Sequence, residues 1–133
     1  MVLIMKRNQL KPQKEKVRDA NMKANLKHNI LKNKDDLIEG TFCYSLFENA
    51  FFDEVLLIDL IKNAKLFFKE NNQDKDISNL LTWIVNGVEQ CFVSNNDKDD
   101  YYSIENYSSD IEIKWKNVWR TEINEIISNS NNC

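Results

Sequence analysis

With 133 residues, 42% of them hydrophobic and 29% charged, the chain suits one domain that buries its own core, and it is not disordered throughout. Two glycines and one proline are too few for the frequent turns of an all-β protein. The formal charge of −3 conceals a split: ten Lys/Arg against two acids in residues 1–34, a net of +8, then eight against nineteen in residues 35–133, a net of −11.

These features predict an all-α fold, a single-domain helical bundle of about five helices. Residues 1–34 read as a basic N-terminal extension, partly helical, and residues 35–133 as an acidic helical domain with a frayed C-terminal tail. In the extension, Pro12 suits a first helical turn. Val17, Ala20, Ala24 and Leu31 then fall near one face, with Met22, Leu26 and Ile30 beside them. So thin a stripe predicts a helix that docks weakly or forms fully only against a partner. The segment is poor in aromatics and in Arg, so a solvated extension is favoured over a nucleic-acid tail.

Leu37, Ile38, Phe42, Leu46 and Phe47 are spaced for a short helix, interrupted early by Gly40. The densest apolar stretch follows. Asp53 can cap a helix there, and Val55, Leu56, Ile58, Leu60, Ile61, Ala64, Phe67 and Phe68 fill a wide face. A third helix is expected over residues 77–93, capped by Asp76 or Ser78, with Trp83 at the rim of the core and Gly87 allowing another helix to approach. In the last helix, Ser109 and Glu112 have capping-box spacing, and Ile111, Trp115, Val118, Trp119, Ile123, Ile126 and Ile127 form the stripe. The alternating stretch from Ile111 to Trp115 is the one piece that also reads as a strand. The expected core includes Ile61, Leu81, Ile84, Val118 and Ile123.

Cys43, Cys91 and Cys133 are odd in number and widely spaced, and His28 is the single histidine, so a zinc site has too few ligands. Buried thiols at 43 and 91 and a terminal thiol at 133 are the simplest reading, and reduced thiols fit the cytoplasm. No apolar run approaches the ~20 residues of a membrane span, and Val2 to Met5 is too short for a signal-peptide core. The expectation is a cytoplasmic protein with no membrane contact, no cofactor and no metal. No Gly-rich phosphate loop and no nucleophile–base motif is present, so the chain is read as not an enzyme.

Polar chemistry concentrates between Asn95 and Tyr107. As a calcium loop the segment lacks the glycine of the sharp turn, and Ser108 stands where the closing acid belongs. As a catalytic cluster, Asp97, Asp99 and Asp100 lack a local partner. As a protein-binding edge it combines acids, which act at long range, with tyrosines, which supply rigid contact area. A plain solvated connection is the competing reading, but about fourteen residues exceed the usual two to eight between helices.

Phe51-Phe52-Asp53-Glu54 entering the apolar helix, Trp83 in the next helix, and the loop Asn96-Asp97-Lys98-Asp99-Asp100-Tyr101-Tyr102 together resemble bacterial immunity proteins of polymorphic-toxin and contact-dependent growth-inhibition systems. The likeness is one of type and spans residues 37–128. It implies a cognate toxin as partner, many such toxins being basic nucleases whose phosphate-attracting site an acidic surface can occupy. The implied toxin-binding residues are Asp97, Asp99, Asp100, Tyr101, Tyr102, Glu105 and Tyr107. The alternative is a nucleic-acid-associated regulator using the Lys-rich N-terminal helix, and a third reading is a small phage or plasmid adaptor.

Overall fold

The computed structural model describes residues 24–35, 37–69 and 73–131. Of these residues 75% are helical and none forms a strand, so the fold is an all-α bundle of five helices. The strand reading of Ile111 to Trp115 is thereby set aside. Helix α1 covers residues 24–31 and tightens into a 3₁₀ turn, Lys32–Lys34. Helix α2 covers residues 42–48 and ends in a π-helical turn, Tyr44–Glu48. Helix α3 is Glu54–Phe68 and α4 is Lys75–Asn96. Helix α5 runs from Ser109–Lys114 through a π-helical turn, Trp115–Trp119, into Arg120–Asn131. No helix among the described residues is long and apolar enough to cross a membrane.

Short polar side chains start the helices, because the first N–H groups have no partner within the helix. The Asp53 carboxylate accepts the Leu56 N–H at 3.1 Å and opens α3. Asp74 does the same for Ile77, so α4 begins earlier than the expected Asp76 or Ser78 caps would place it. Ser108, not Ser109, caps α5 by accepting the Ile111 N–H at 3.1 Å. Glu112 then lies one position too far for a capping box and turns its carboxylate elsewhere. Leu37 and Ile38 are exposed in turns rather than helical. Gly40 takes a left-handed φ of +86°, and Thr41 caps α2 by accepting the Tyr44 N–H.

The core gathers around Phe52. Its ring meets Phe42 edge-on at 5.3 Å, stacks on Trp119 at 5.6 Å and tilts against Phe92 at 5.9 Å. Ile61, Leu81, Ile84 and Ile123 are buried as expected. Val118 is not: it is 45% exposed. The Arg120 N–H bonds back five residues to the Trp115 carbonyl, and this wider turn keeps positions four apart on one face. Trp115, Trp119 and Ile123 therefore all point inward, and Val118 is turned out. Val55 and Ile58 also lie on the solvent side of α3. Cys43 and Cys91 are buried thiols.

Three local packings set the positions of α2, Trp83 and the end of α5. A Cβ on Gly87 would stand 2.6 Å from the Phe47 ring, so the glycine is what lets α2 press against α4. The same ring meets Trp83 edge-on at 5.5 Å, holding Trp83 at the core's rim. At the other end, Ser130 is buried and bonds to Ser78 at 2.7 Å, so α5 continues through residues expected to fray.

Part of the basic extension belongs to this core. Ile30 is fully buried, Leu26 and Leu31 pack against the cluster, and the Asn33 side chain accepts the Cys43 N–H at 3.2 Å. Lys27 pairs with Asp74 at 2.8 Å and with Asp76 at 3.7 Å. The remainder of the extension, with Pro12, Val17, Ala20 and Met22, lies outside the described residues, as does Cys133.

Candidate functional site

The acidic connection between α4 and α5, residues 97–108, turns on local hydrogen bonds in its first half and is tied to the body in its second. Asp97 and Asp100 each use a carboxylate to accept an N–H two residues on, from Asp99 and Tyr102, both at 2.9 Å. These local bonds hold the turn open without help from secondary structure. Ile104 is buried, and its N–H donates to the Asn95 side chain at 2.8 Å. The Glu105 N–H donates to the Ala50 carbonyl at 2.7 Å. The Asn106 amide then clamps Phe52 on both its backbone groups, accepting its N–H and donating to its carbonyl, each at 2.8 Å. Ala50, in the segment so gripped, has a left-handed φ of 54°, a conformation unfavourable for a residue with a Cβ.

The seven residues singled out from sequence separate into two groups. Asp97, Asp99, Asp100, Tyr101 and Glu105 face solvent, with Tyr101 at 104% relative exposure. Tyr102 turns inward: its hydroxyl donates to the Leu46 carbonyl at 2.6 Å. Burial first, and then the Cys91 thiol beside it, push the Tyr102 phenol far above its ordinary range. Burial likewise raises the Cys91 thiol, against an opposing influence of the Tyr102 hydroxyl beside it. Tyr102 is thus an anchor of the loop rather than part of its outer surface.

Tyr107 stands between the groups. Its ring meets Phe92 edge-on at 6.3 Å, and its hydroxyl donates to Glu112 Oε1 at 2.7 Å. The same oxygen accepts from Asn96 Nδ2 at 3.2 Å, and Glu112 Oε2 pairs with Lys116 at 2.9 Å. Glu112 therefore joins the end of α4 to the start of α5 and closes the loop at its base. Partial burial works to raise the Glu112 carboxyl, but bonds from Lys116, Tyr107 and Asn96 outweigh it and hold the group below its usual range. The hydrogen bond to Glu112 raises the Tyr107 phenol in turn.

Asn95, Asn106 and Ala50 do the positioning, and sequence reasoning passed over all three. In a chain rich in Asn, two more carried no distinguishing pattern. Ile104, a single apolar residue inside a polar run, was the readable sign of an inward anchor. The result is an acidic surface anchored to the body from Tyr102 to Asn106, with its carboxylates and the Tyr101 ring exposed. Among the described residues, no three His, Cys, Asp or Glu side chains converge in a way that could hold a metal ion.

No protein-family model matches the chain, and neither the curated proteins nor the solved structures yield a match.

Proposed function

We propose that this chain is an immunity-type binding protein that neutralises a basic toxin, a nuclease in the simplest case, by seating residues 97–108 over its active or substrate-binding surface. The observation that carries this reading is the combination of a loop anchored to the body through Tyr102 and Asn106 with outward Asp99, Asp100 and Tyr101 side chains. A loop anchored in this way loses less conformational freedom on binding than a free one, so less contact energy is spent on ordering it. Its charge steers a basic partner before contact, and an exposed tyrosine supplies the short-range anchor. In this reading the protein acts by occupation and performs no catalysis. The placement of Lys27 adds support against the nucleic-acid alternative, because its ammonium is taken up by Asp74 and Asp76 instead of being presented to phosphate.

The test is a kinetic titration against the product of the adjacent gene, with growth protection scored in parallel. Reversing Asp97, Asp99 and Asp100 to Lys should slow association steeply, and wild-type binding should weaken as salt rises, since exposed charges act over about 8–10 Å at ordinary ionic strength. Tyr101→Ala should act mainly on dissociation. Unchanged binding and protection in the folded charge-reversed protein would place the interface elsewhere. Salt-sensitive retention on DNA or RNA, with no binding to the neighbouring product, would favour the regulator instead.

A further inference from the structure

Beyond its first two residues helix α4 carries almost no charge in a chain that is 29% charged: between Ile77 and Asn96 the only Asp, Glu, Lys, Arg or His is Glu89. Glu89 is engaged, accepting from Trp115 Nε1 at 3.1 Å and from Arg120 Nη1 at 2.6 Å. Yet α4 has a solvent-facing stripe. Asn79, Trp83, Asn86, Gln90 and Val93 are all exposed, Trp83 at 43% and Val93 at 61%, and they recur at alternating spacings of four and three. That spacing is the seam of a helix pair. Loss of charge together with an aromatic residue marks the centre of an interface rather than ordinary solvated surface.

We propose that this stripe is a homodimer interface in which α4 of one copy packs antiparallel against α4 of a second. Three features select a second copy. First, the stripe is flanked by exposed opposite charges, Lys75 before it, where the adjoining Asp76 is paired with Lys27 at 3.7 Å, and Asp97 after it. With Asn86 on the two-fold axis, Asn79 lies across from Val93 of the other copy, and Lys75 across from its Asp97. A parallel arrangement would oppose like charges at both ends.

Second, Asn and Gln amides each carry a donor and an acceptor, so an amide-rich stripe is complementary to itself, as a charged one is not. Third, two acidic bodies repel each other across most of their surface, and an uncharged stripe is where they can meet at least electrostatic cost. From Asn79 to Val93 the contact runs for about 21 Å of helix. The Phe47 ring already holds Trp83, which lowers the cost of ordering it. This proposal stands apart from the identity of any toxin.

The test is sedimentation velocity on the full chain from micromolar to millimolar concentration. The expected result is a reversible species of twice the 15.7 kDa chain mass. Asn86→Asp sets two carboxylates against each other on the axis and should weaken the dimer at least about tenfold, a change of about 1.4 kcal/mol, with an unchanged circular dichroism spectrum. Val93→Lys is the second variant, should the first disturb folding. Lys75→Glu and Asp97→Lys should each weaken self-association. Mixed together, they should pair better than either alone, because each end of the mixed dimer again joins opposite charges.

A monomer at every concentration would overturn the proposal. So would a dimer that both Asn86→Asp and Val93→Lys leave intact, or a mixture that pairs no better than its components. A monomeric protein whose binding to a basic partner is lost in Asn86→Asp would assign the stripe to that partner and overturn the dimer.

Discussion

The acidic loop and the outward stripe of α4 adjoin at Asp97, and both face solvent, but their chemistry is opposite. The loop crowds Asp97, Asp99, Asp100 and Glu105 around a fully exposed Tyr101. The stripe runs from Asn79 to Val93 without a charge. The loop is held by its own side chains reaching distant backbone groups, Asn106 back 54 positions to Phe52 and Tyr102 back 56 to Leu46. The stripe is held by the helix it sits on. A charged surface acts at a distance and is screened by salt; an uncharged one acts only at contact. One protein thus offers two surfaces that respond to different conditions and fail by different mutations.

The largest expected effect breaks the support that the two surfaces share. Phe52→Ala removes the ring between Phe42, Phe92 and Trp119 and should cost about 3–5 kcal/mol in denaturant unfolding. Both surfaces would be lost together. A cost below about 1 kcal/mol would mean that the core closes around the gap.

Asn106→Ala sharpens the contrast instead. It leaves the Phe52 N–H and carbonyl without their side-chain partner and should cost about 1–3 kcal/mol. Hydrogen exchange should rise at Phe52 and Glu105 while protection within α4 is retained. Equal loosening of α4 would show that the two regions open as one unit. The mirror experiment is Gly87→Ala, which pushes a methyl into the Phe47 ring beneath the stripe. The clash should outweigh the gain in helix propensity and destabilise by about 1 kcal/mol. In a Phe47→Leu background the same change should be neutral or stabilising.

Neighbouring tyrosines give a finer cut. Tyr102→Phe leaves the Leu46 carbonyl without its 2.6 Å donor and should cost about 1 kcal/mol. Tyr101→Ala, at a fully exposed position, should stay within about 0.5 kcal/mol and show its effect in binding alone. If the order were reversed, the loop would not be anchored through Tyr102.

The smallest effect is pH-dependent and confined to the loop's base. Glu112 has its folded pKa held below the unfolded value, so its contribution is present above the unfolded pKa and is lost as pH falls through the folded one. Glu112→Gln should flatten the acid side of the stability profile. It should leave α4 exchange unchanged at neutral pH. An identical acid limb in the variant would assign acid sensitivity to other carboxylates.

Much of the fold was legible because helices are local. Apolar spacing marked α3, α4 and α5, and Asp53 was read as a cap because an N-cap needs only a residue within its own turn. Errors arose where a single turn departs from the α period. Val118 was placed inward because the stripe was counted at 3.6 residues per turn, and the π-helical turn Trp115–Trp119 shifts it outward. The spacing of Ser109 and Glu112 points to a capping box, yet Ser108, one residue earlier and alike in chemistry, accepts the Ile111 N–H.

By itself the sequence determined the helical class, the acidic character of the body and the long connection before α5, because each follows from composition or from residues near one another in the chain; the need for a small Gly87 comes from Phe47, 40 residues away. Tertiary structure alone decided which loop side chains face out. Tyr101 and Tyr102 are adjacent and alike in type, and only the position of the Leu46 carbonyl, 56 residues away, turns one inward and leaves the other to solvent. It also decided that the uncharged face of α4 divides into a buried side around Leu81, Ile84 and Val88 and an exposed stripe from Asn79 to Val93. Hydrophobic periodicity records that a helix has an inner face; what lies against its outer face depends on how α2, α3 and α5 pack around it, which no local pattern encodes.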